Sequence, residues 1–552
     1  MDSQKVIVTH RGALTAKYSA AVVKKIDAAI AKLIAADTAR GFKSSYIGLD
    51  VAADMKPFGA AVKGSVTAAK CKAAIDRIVA KLSPDYVALL GSGDIIPEFV
   101  VPNPSGGISG DDEADVPTDN PYASSQKFAA GTLASYLLPD RVIGRIPDLP
   151  GATDKSGSFL LDTLAASAAW KPMTADDYKP DMMVCADEWA AAGIECATTL
   201  GRDVKMVLSS PPEKDGLPQL LERSGARLHM IKCHGNALDA QFYGQQGGDY
   251  PPAMRSTALV GKTVAGTVVG AMCCFGSALY DPSDPAAVVA NAPAIASVYL
   301  KQGAVAFAGS TTVAWVGVQQ AMDADVIITA FLRNVLRGAS TGRAFLEAKQ
   351  DFFRHITEAG RQPDAMEEKT LVQFRLLGDP SLHVVPAAAG VAVAAMMAKK
   401  NVTAGAANAV ANERHARRVY RAGLARELRA YVPAREVVTA SKKTSQALMD
   451  GVTDARMLRA MEGNAPVVHR VHRVTAAPES KAARALARLP VVAGVVAAAM
   501  PSHAGAVQEE TLQYYFGHRH EGEDVPVVDA TMVSVETDRA GNVLRRRMVV
   551  SA

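Results

Sequence analysis

Two stretches of this sequence end an apolar run on residues that do chemistry. One is Leu228-His-Met-Ile-Lys-Cys-His-Gly-Asn, which closes on Cys233, His234, Gly235 and Asn236. The other is Thr267-Val-Val-Gly-Ala-Met-Cys-Cys-Phe-Gly, which closes on Cys273 and Cys274. In an open parallel sheet, sites form outside the carboxyl ends of the strands, so a His-Gly on one strand and a Cys on the next can face each other there. The chemistry then needs a thiolate to attack a carbonyl and an imidazole to manage protons. Gly235, lacking a side chain, lets a carbonyl oxygen approach its N–H, and with the Cys273 N–H it would form an oxyanion hole. Two plainer readings stand beside this one. A cysteine at the end of a buried strand is often a small core hydrophobe. Cys233, His234, Cys273 and Cys274 also offer four soft metal ligands, but neighbours on a strand point to opposite faces, which works against convergence on one ion.

The elements that must position these residues alternate short apolar runs with longer amphipathic stretches. Val6-Ile-Val-Thr, Tyr46-Ile-Gly-Leu-Asp-Val and Tyr86-Val-Ala-Leu-Leu-Gly read as strands, and Tyr18 to Ala36 and Ala68 to Leu82 as helices. Pro102 to Gln126, rich in Pro, Gly, Ser and Asp, reads as a long loop, and Arg141-Val-Ile-Gly-Arg-Ile-Pro as a strand closing the first unit. A second series follows: strands at Met182 to Ala186, Val204 to Leu208, Leu228 to Cys233, Val264 to Cys273 and Ala304 to Gly309, with helices at Phe159 to Trp170, Ala321 to Leu336 and Gly342 to Ile356. Strand–helix alternation with fully apolar strands implies an α/β fold whose parallel sheets are covered on both faces.

The composition bounds the function classes. A chain of 552 residues with net charge +4 is nearly balanced, so charge alone points to neither nucleic acid nor a membrane surface. The start has no apolar run behind a basic stretch, which argues against a secretory signal. The longest apolar run, Leu489 to Met500, is shorter than the ~20 residues a bilayer takes and reads as a buried helix. The six cysteines lack the spacing of a disulfide framework, so thiols in a reducing, cytoplasmic compartment are expected.

The order of several motifs resembles the gingipain family of cysteine peptidases, family C25 of clan CD. His-Gly after one strand and Cys-x-x-Gly after the next is the clan's layout. Pro84-Asp-Tyr-Val-Ala-Leu-Leu-Gly-Ser-Gly-Asp-Ile-Ile-Pro, Thr118-Asp-Asn-Pro-Tyr, Pro139-Asp-Arg-Val-Ile-Gly-Arg-Ile-Pro, Gly303-Ala-Val-Ala-Phe-Ala-Gly-Ser-Thr-Thr-Val-Ala-Trp and Leu376-Leu-Gly-Asp-Pro-Ser-Leu are similar to further segments of that family. The resemblance covers about residues 5–385. It implies two parallel-sheet α/β subdomains, 1–155 and a caspase-like catalytic 156–386, and a Cys–His dyad acting on protein or peptide substrates. Cys273 matches the family's nucleophile because Gly276 lies three residues on, with Cys274 as the alternative. The family's third group, an acid orienting the histidine, falls at Asp187, or at Glu188 beside it; either acid would equally serve as a cap for the helix beginning near Trp189. Trp315 matches an aromatic wall of the specificity pocket, though a tryptophan on a loop can also simply pack over the core. Where Arg-cleaving members place an acid, this sequence has Ala197 to Thr199, so a basic preference is not implied. Asn236 stands where the family commonly has serine. No cofactor is called for; the one candidate is calcium at Gly110-Asp-Asp-Glu-Ala-Asp, where a solvated acidic loop is the plainer reading.

Beyond residue 386 the resemblance stops. Residues 387–465 read as an Ala/Arg-rich linker or helical region, with an Arg-rich helix at His415 to Arg435. Residues 466–552 read as a small β-containing module ending in a hairpin, Ala530 to Glu536 and Val543 to Ser551, giving a C-terminal α+β region. This part is the place for a regulatory partner or for self-cleavage within 390–480, whose thin composition exposes backbone. The competing readings are a silent member of the fold that only binds, and a protease active only with a partner.

Overall fold

Apolar runs without polar alternation form the middle of one large sheet. The computed structural model describes residues 3–108, 111–179, 181–202, 207–208, 225–358, 361–386, 435–439, 447–462, 464–475, 507–519, 527, 529–538 and 540–552. In the first part β1 (Ser3–Thr9), β2 (Phe42–Gly48) and β3 (Tyr86–Leu90) pair in parallel. All five residues of β3 are buried, as a strand covered on both faces must be. The expected long loop is more structured than its composition suggests. β4 (Phe99–Pro102) and β5 (Asp115–Thr118) form an antiparallel ribbon, and a short helix, Asn120–Ala123, leads towards β6 (Ile143–Ile146), which is parallel to β3.

The second part supplies β7 (Asp181–Cys185), β8 (Val207–Leu208) and β9 (Leu228–Lys232). A small antiparallel sheet of β10 (His234–Gly235), β11 (Gln241–Tyr243) and β12 (Pro252–Arg255) follows. β13 (Val268–Ala271), β14 (Ala306–Gly309), β15 (Trp315–Val316) and β16 (Arg375–Gly378) complete this part. The large sheet runs β2-β1-β3-β6-β16-β14-β13-β9-β7-β8, and only the β14–β16 pair is antiparallel. The sheets of the two parts are therefore joined edge to edge at β6 and β16. The seam is narrow: a Cβ added at Gly144 would come within 2.8 Å of the Gly378 carbonyl. On β6, Arg145 is buried and paired with Asp119 at 2.5 Å.

Helices close both faces around the β9–β13 pair. Ile295–Lys301 packs with the buried side chains of Val269, Ala271 and Cys273, and Ala324–Leu336 lies against the opposite face at Gly270. Thr341–Glu358 packs along Ala324–Leu336. Ala365–Gln373 starts at a capping box in which Asp364 accepts the Glu367 N–H and Glu367 accepts the Asp364 N–H.

The C-terminal part is a second, antiparallel sheet: β17 (Arg435–Thr439), β18 (Val467–Thr475), β19 (Val507–Arg519), β20 (Ala530–Thr537) and β21 (Val543–Ser551). The expected final hairpin is present as β20 and β21. A helix, Ala455–Met461, covers one face. The sixth strand of this sheet is β15, which comes from the second part of the chain. The Arg-rich helix, the apolar run at Leu489 to Met500, most of Val204 to Leu208 and most of the stretch expected to be a linker lie outside the described residues.

Candidate active site

β9 and β13 are parallel neighbours, with Ala271 beside Ile231. Their ends bring His234-Gly235 against Cys273-Cys274, as the sequence spacing implied. The approach is close enough that only glycine fits: a Cβ built on Gly235 would lie 1.9 Å from the Cys274 carbonyl oxygen and 3.5 Å from the Cys273 Cβ.

His234 is fully buried between two rings, Trp189 at 4.5 Å and Tyr250 at 5.2 Å between centroids. Its Nε2 bonds Gln245 Oε1 at 2.9 Å. An amide oxygen only accepts, so Nε2 carries the proton and Nδ1 keeps a lone pair. Nδ1 has no hydrogen-bond partner among the described residues. Burial lowers the pKa of the imidazole, while Gln245 and the charge of Asp529 act the other way. Burial thus favours the neutral ring, and Nδ1 keeps a free lone pair.

The cysteine side of the site is a tight turn. Phe275 adopts a left-handed conformation, φ 54°, and its N–H donates to the Thr312 carbonyl at 2.9 Å. The Cys273 carbonyl accepts from Ser310 Oγ at 2.7 Å and from the Gly276 N–H at 3.1 Å. The Cys273 thiol faces the Ile231 carbonyl at 3.6 Å. Cys274 points towards the segment ahead of β15, where its sulfur accepts the Ala314 N–H at 3.2 Å. Burial raises both thiol pKa values, that of Cys274 to about 12 and that of Cys273 higher. Both are therefore held as thiols here.

The remaining expected residues fall around this centre. Asp187 follows β7, and its main-chain N–H donates to the Gln245 carbonyl at 3.0 Å; the partner of His234 Nε2 is Gln245 in place of the expected acid. Glu188 bonds the Gly247 N–H at 3.3 Å and pairs with Arg456. Trp315 is fully buried, with its indole N–H on Asp111 at 3.3 Å. In the acidic loop Asp112 and Asp115 are exposed, but Asp111 is buried: Lys369 Nζ holds it at 2.7 Å, with Asn103 and Ser105 also donating to it. Its carboxylate is thus satisfied by a lysine in the place proposed for calcium. Among the described residues no three metal-ligating side chains gather in one place. All six cysteines are present as thiols.

Three features had no sequence signal. Gln245 and Tyr250 come from the irregular loop after the histidine. Asp529, far away in the chain, accepts from Tyr250 and lies 3.4 Å from Gln245 Nε2. The end of β21 is the third. Trp315 faces Ser551 and Val316 faces Val550 in antiparallel register. The Ala552 N–H donates to the Ala314 carbonyl at 2.9 Å, and the Ala552 carbonyl accepts the N–H of Cys274.

Residues 254–385 match the model of peptidase family C25, a stretch that holds Cys273, Cys274 and Trp315 and begins after His234. No curated protein matches the chain.

Proposed function

We propose that this chain, assigned to peptidase family C25, is a cysteine endopeptidase in which Cys273 and His234 form the catalytic dyad. The observation that carries the reading is the meeting of two strand ends: a neutral histidine with an unoccupied Nδ1, a glycine that only backbone can approach, and a cysteine turn beside it. Cys273 is the nucleophile in this reading because it is the Cys273 side chain that faces Gly235, where Cys274 presents only its carbonyl, and the Cys274 sulfur is engaged by the Ala314 N–H.

His234 Nδ1 takes the proton of the Cys273 thiol, and the thiolate attacks the peptide carbonyl carbon. The oxygen that becomes negative is held by the Gly235 N–H and the amides of the Cys273–Cys274 turn. The C–N bond then breaks, and the imidazolium gives its proton to the departing amine, leaving a thioester. Water, deprotonated by His234, hydrolyses the thioester and restores the thiol with release of the carboxylate product. Asp187 positions the imidazole at one remove, through Gln245, and Trp315 walls the acyl side of the cleft.

The substrates in this reading are proteins or peptides, cut in limited fashion, with the chain itself among them within 390–480. Thiols at all six cysteines support a reducing, cytoplasmic setting. Among the described residues no helix is long and apolar enough to cross a membrane. Cleavage of an unfolded reporter protein tests the reading. Activity is expected from the unsubstituted chain and from Cys274→Ala, and none from Cys273→Ala. Equal cleavage by Cys273→Ala would defeat it.

A further inference from the structure

The last residues of β21, and Ala552 after them, lie against β15 and the Cys273–Cys274 turn. They pair with β15 in antiparallel register, donate from Ala552 to Ala314, and present the Ala552 carbonyl to the Cys274 N–H. In strand addition of this kind, main-chain bonds supply affinity and the side-chain pockets supply specificity. Val549, Val550, Ser551 and Ala552 are all buried. We propose, on the strength of the peptidase reading, that residues 549–552 occupy the acyl-side subsites as a ligand in cis, and that these subsites select extended peptides with a small uncharged residue at the position of Ala552.

Three observations carry this. First, the end position is enclosed: Ala552 is fully buried among apolar neighbours, so a longer side chain there must push the wall aside. Second, the wall offers little to a basic side chain. Asp111, which accepts the Trp315 indole N–H, already holds Lys369 at 2.7 Å through both oxygens. Third, the segment is tethered. Arg547, on the same strand, is locked to Asp364 at 2.5 Å and to Asp323, so the residues that follow stay at high effective concentration beside the cleft. A peptide arriving from solution must displace them.

The test uses this chain carrying Cys273→Ala, with and without Ala552→Glu, which sets a charge in the buried position of Ala552 and expels the segment. Val550→Asp, which acts at the other inward-facing position, serves as an independent second variant. Fluorescein-labelled Val-Val-Ser-Ala amide and Val-Val-Ser-Lys amide are titrated by anisotropy. The Ala peptide is expected to bind each variant at least about tenfold more tightly than the parent, and the Lys peptide at least about tenfold more weakly than the Ala peptide. Equal binding to parent and variants, or preference for lysine, would overturn the proposal. Cleavage is read separately with Cys273 intact. The expected binding pattern without cleavage would defeat the peptidase reading and leave the cleft ligand standing. Cleavage of the reporter with no gain in peptide binding by either variant would defeat this inference alone.

Discussion

The imidazole of His234 has one nitrogen bound to Gln245 and the other bare, and the sequence contains only half of that arrangement. Periodicity places His-Gly and Cys at adjacent strand ends, because apolar strands end where polar residues begin. It says nothing of Gln245 or Tyr250, which reach the ring from irregular backbone. If Nδ1 is the base, His234→Ala slows acylation of the cysteine by roughly 10²-fold or more, measured as adduct formation with time. Gly235→Ala fails for a steric reason, since its methyl would overlap the Cys274 carbonyl. The expected result is loss of acylation together with destabilisation of ~1–3 kcal/mol in urea unfolding. A second histidine reports on the core rather than the site. His229 is fully buried between Tyr299 Oη and the Ala226 carbonyl, both at 2.8 Å, and burial lowers its pKa to about 4. The unfolded chain binds this proton below its ordinary value of 6.5 while the native one does not. Stability from this group is therefore full above that value and falls as pH drops towards 4, by about 3 kcal/mol in all. A His229→Gln chain should show a shallower acid limb in urea midpoints measured from pH 7 to pH 4; an unchanged limb would contradict this.

At the level of elements, strands bounded by turn chemistry were legible and strands bounded by tertiary contact were less so. Val264 to Cys273 reads as one run, yet β13 is shorter. Thr267 folds back on the Val264 carbonyl before the strand, and Phe275 turns the chain just after it. The β20–β21 hairpin announces itself through alternation and a glycine-bearing loop, but its partner does not: β15 is two residues long and carries no strand signal of its own. What holds β21 there is Arg547, buried with Asp323, Asp364 and Glu367. Its removal leaves Asp323 and Asp364 buried without the cation that pairs with them, while Glu367 keeps Arg361 at 3.3 Å. Arg547→Ala is expected to cost ~3–5 kcal/mol in urea unfolding, whereas Arg546→Ala, nearer the surface, costs far less. Equal effects of the two would mean that the buried cluster does not anchor the strand.

Across the whole molecule, two parts read as separate subdomains share one sheet through a seam that no local pattern marks. Leu377 beside Arg145 is a pairing between residues more than 200 positions apart. The C-terminal sheet likewise takes in β15 from the second part, and Asp529, just before β20, reaches the histidine through Gln245 and Tyr250. Its negative charge favours the protonated imidazole. Asp529→Asn should therefore lower the His234 pKa, so the acid limb of kcat/KM against pH moves to lower pH. A limb that stays in place or moves up would show that this carboxylate does not act on the histidine.

The dyad itself is tested most directly by intact mass after incubation with a broad cysteine-reactive acylating probe. The chains to compare are an Ala552→Glu parent, in which the cleft is expected to be open, and the same chain carrying Cys273→Ala, Cys274→Ala or His234→Ala. One adduct should form on the parent and on Cys274→Ala, form slowly on His234→Ala, and be absent from Cys273→Ala. An adduct that persists in Cys273→Ala and vanishes in Cys274→Ala would contradict the assignment of Cys273 as the nucleophile.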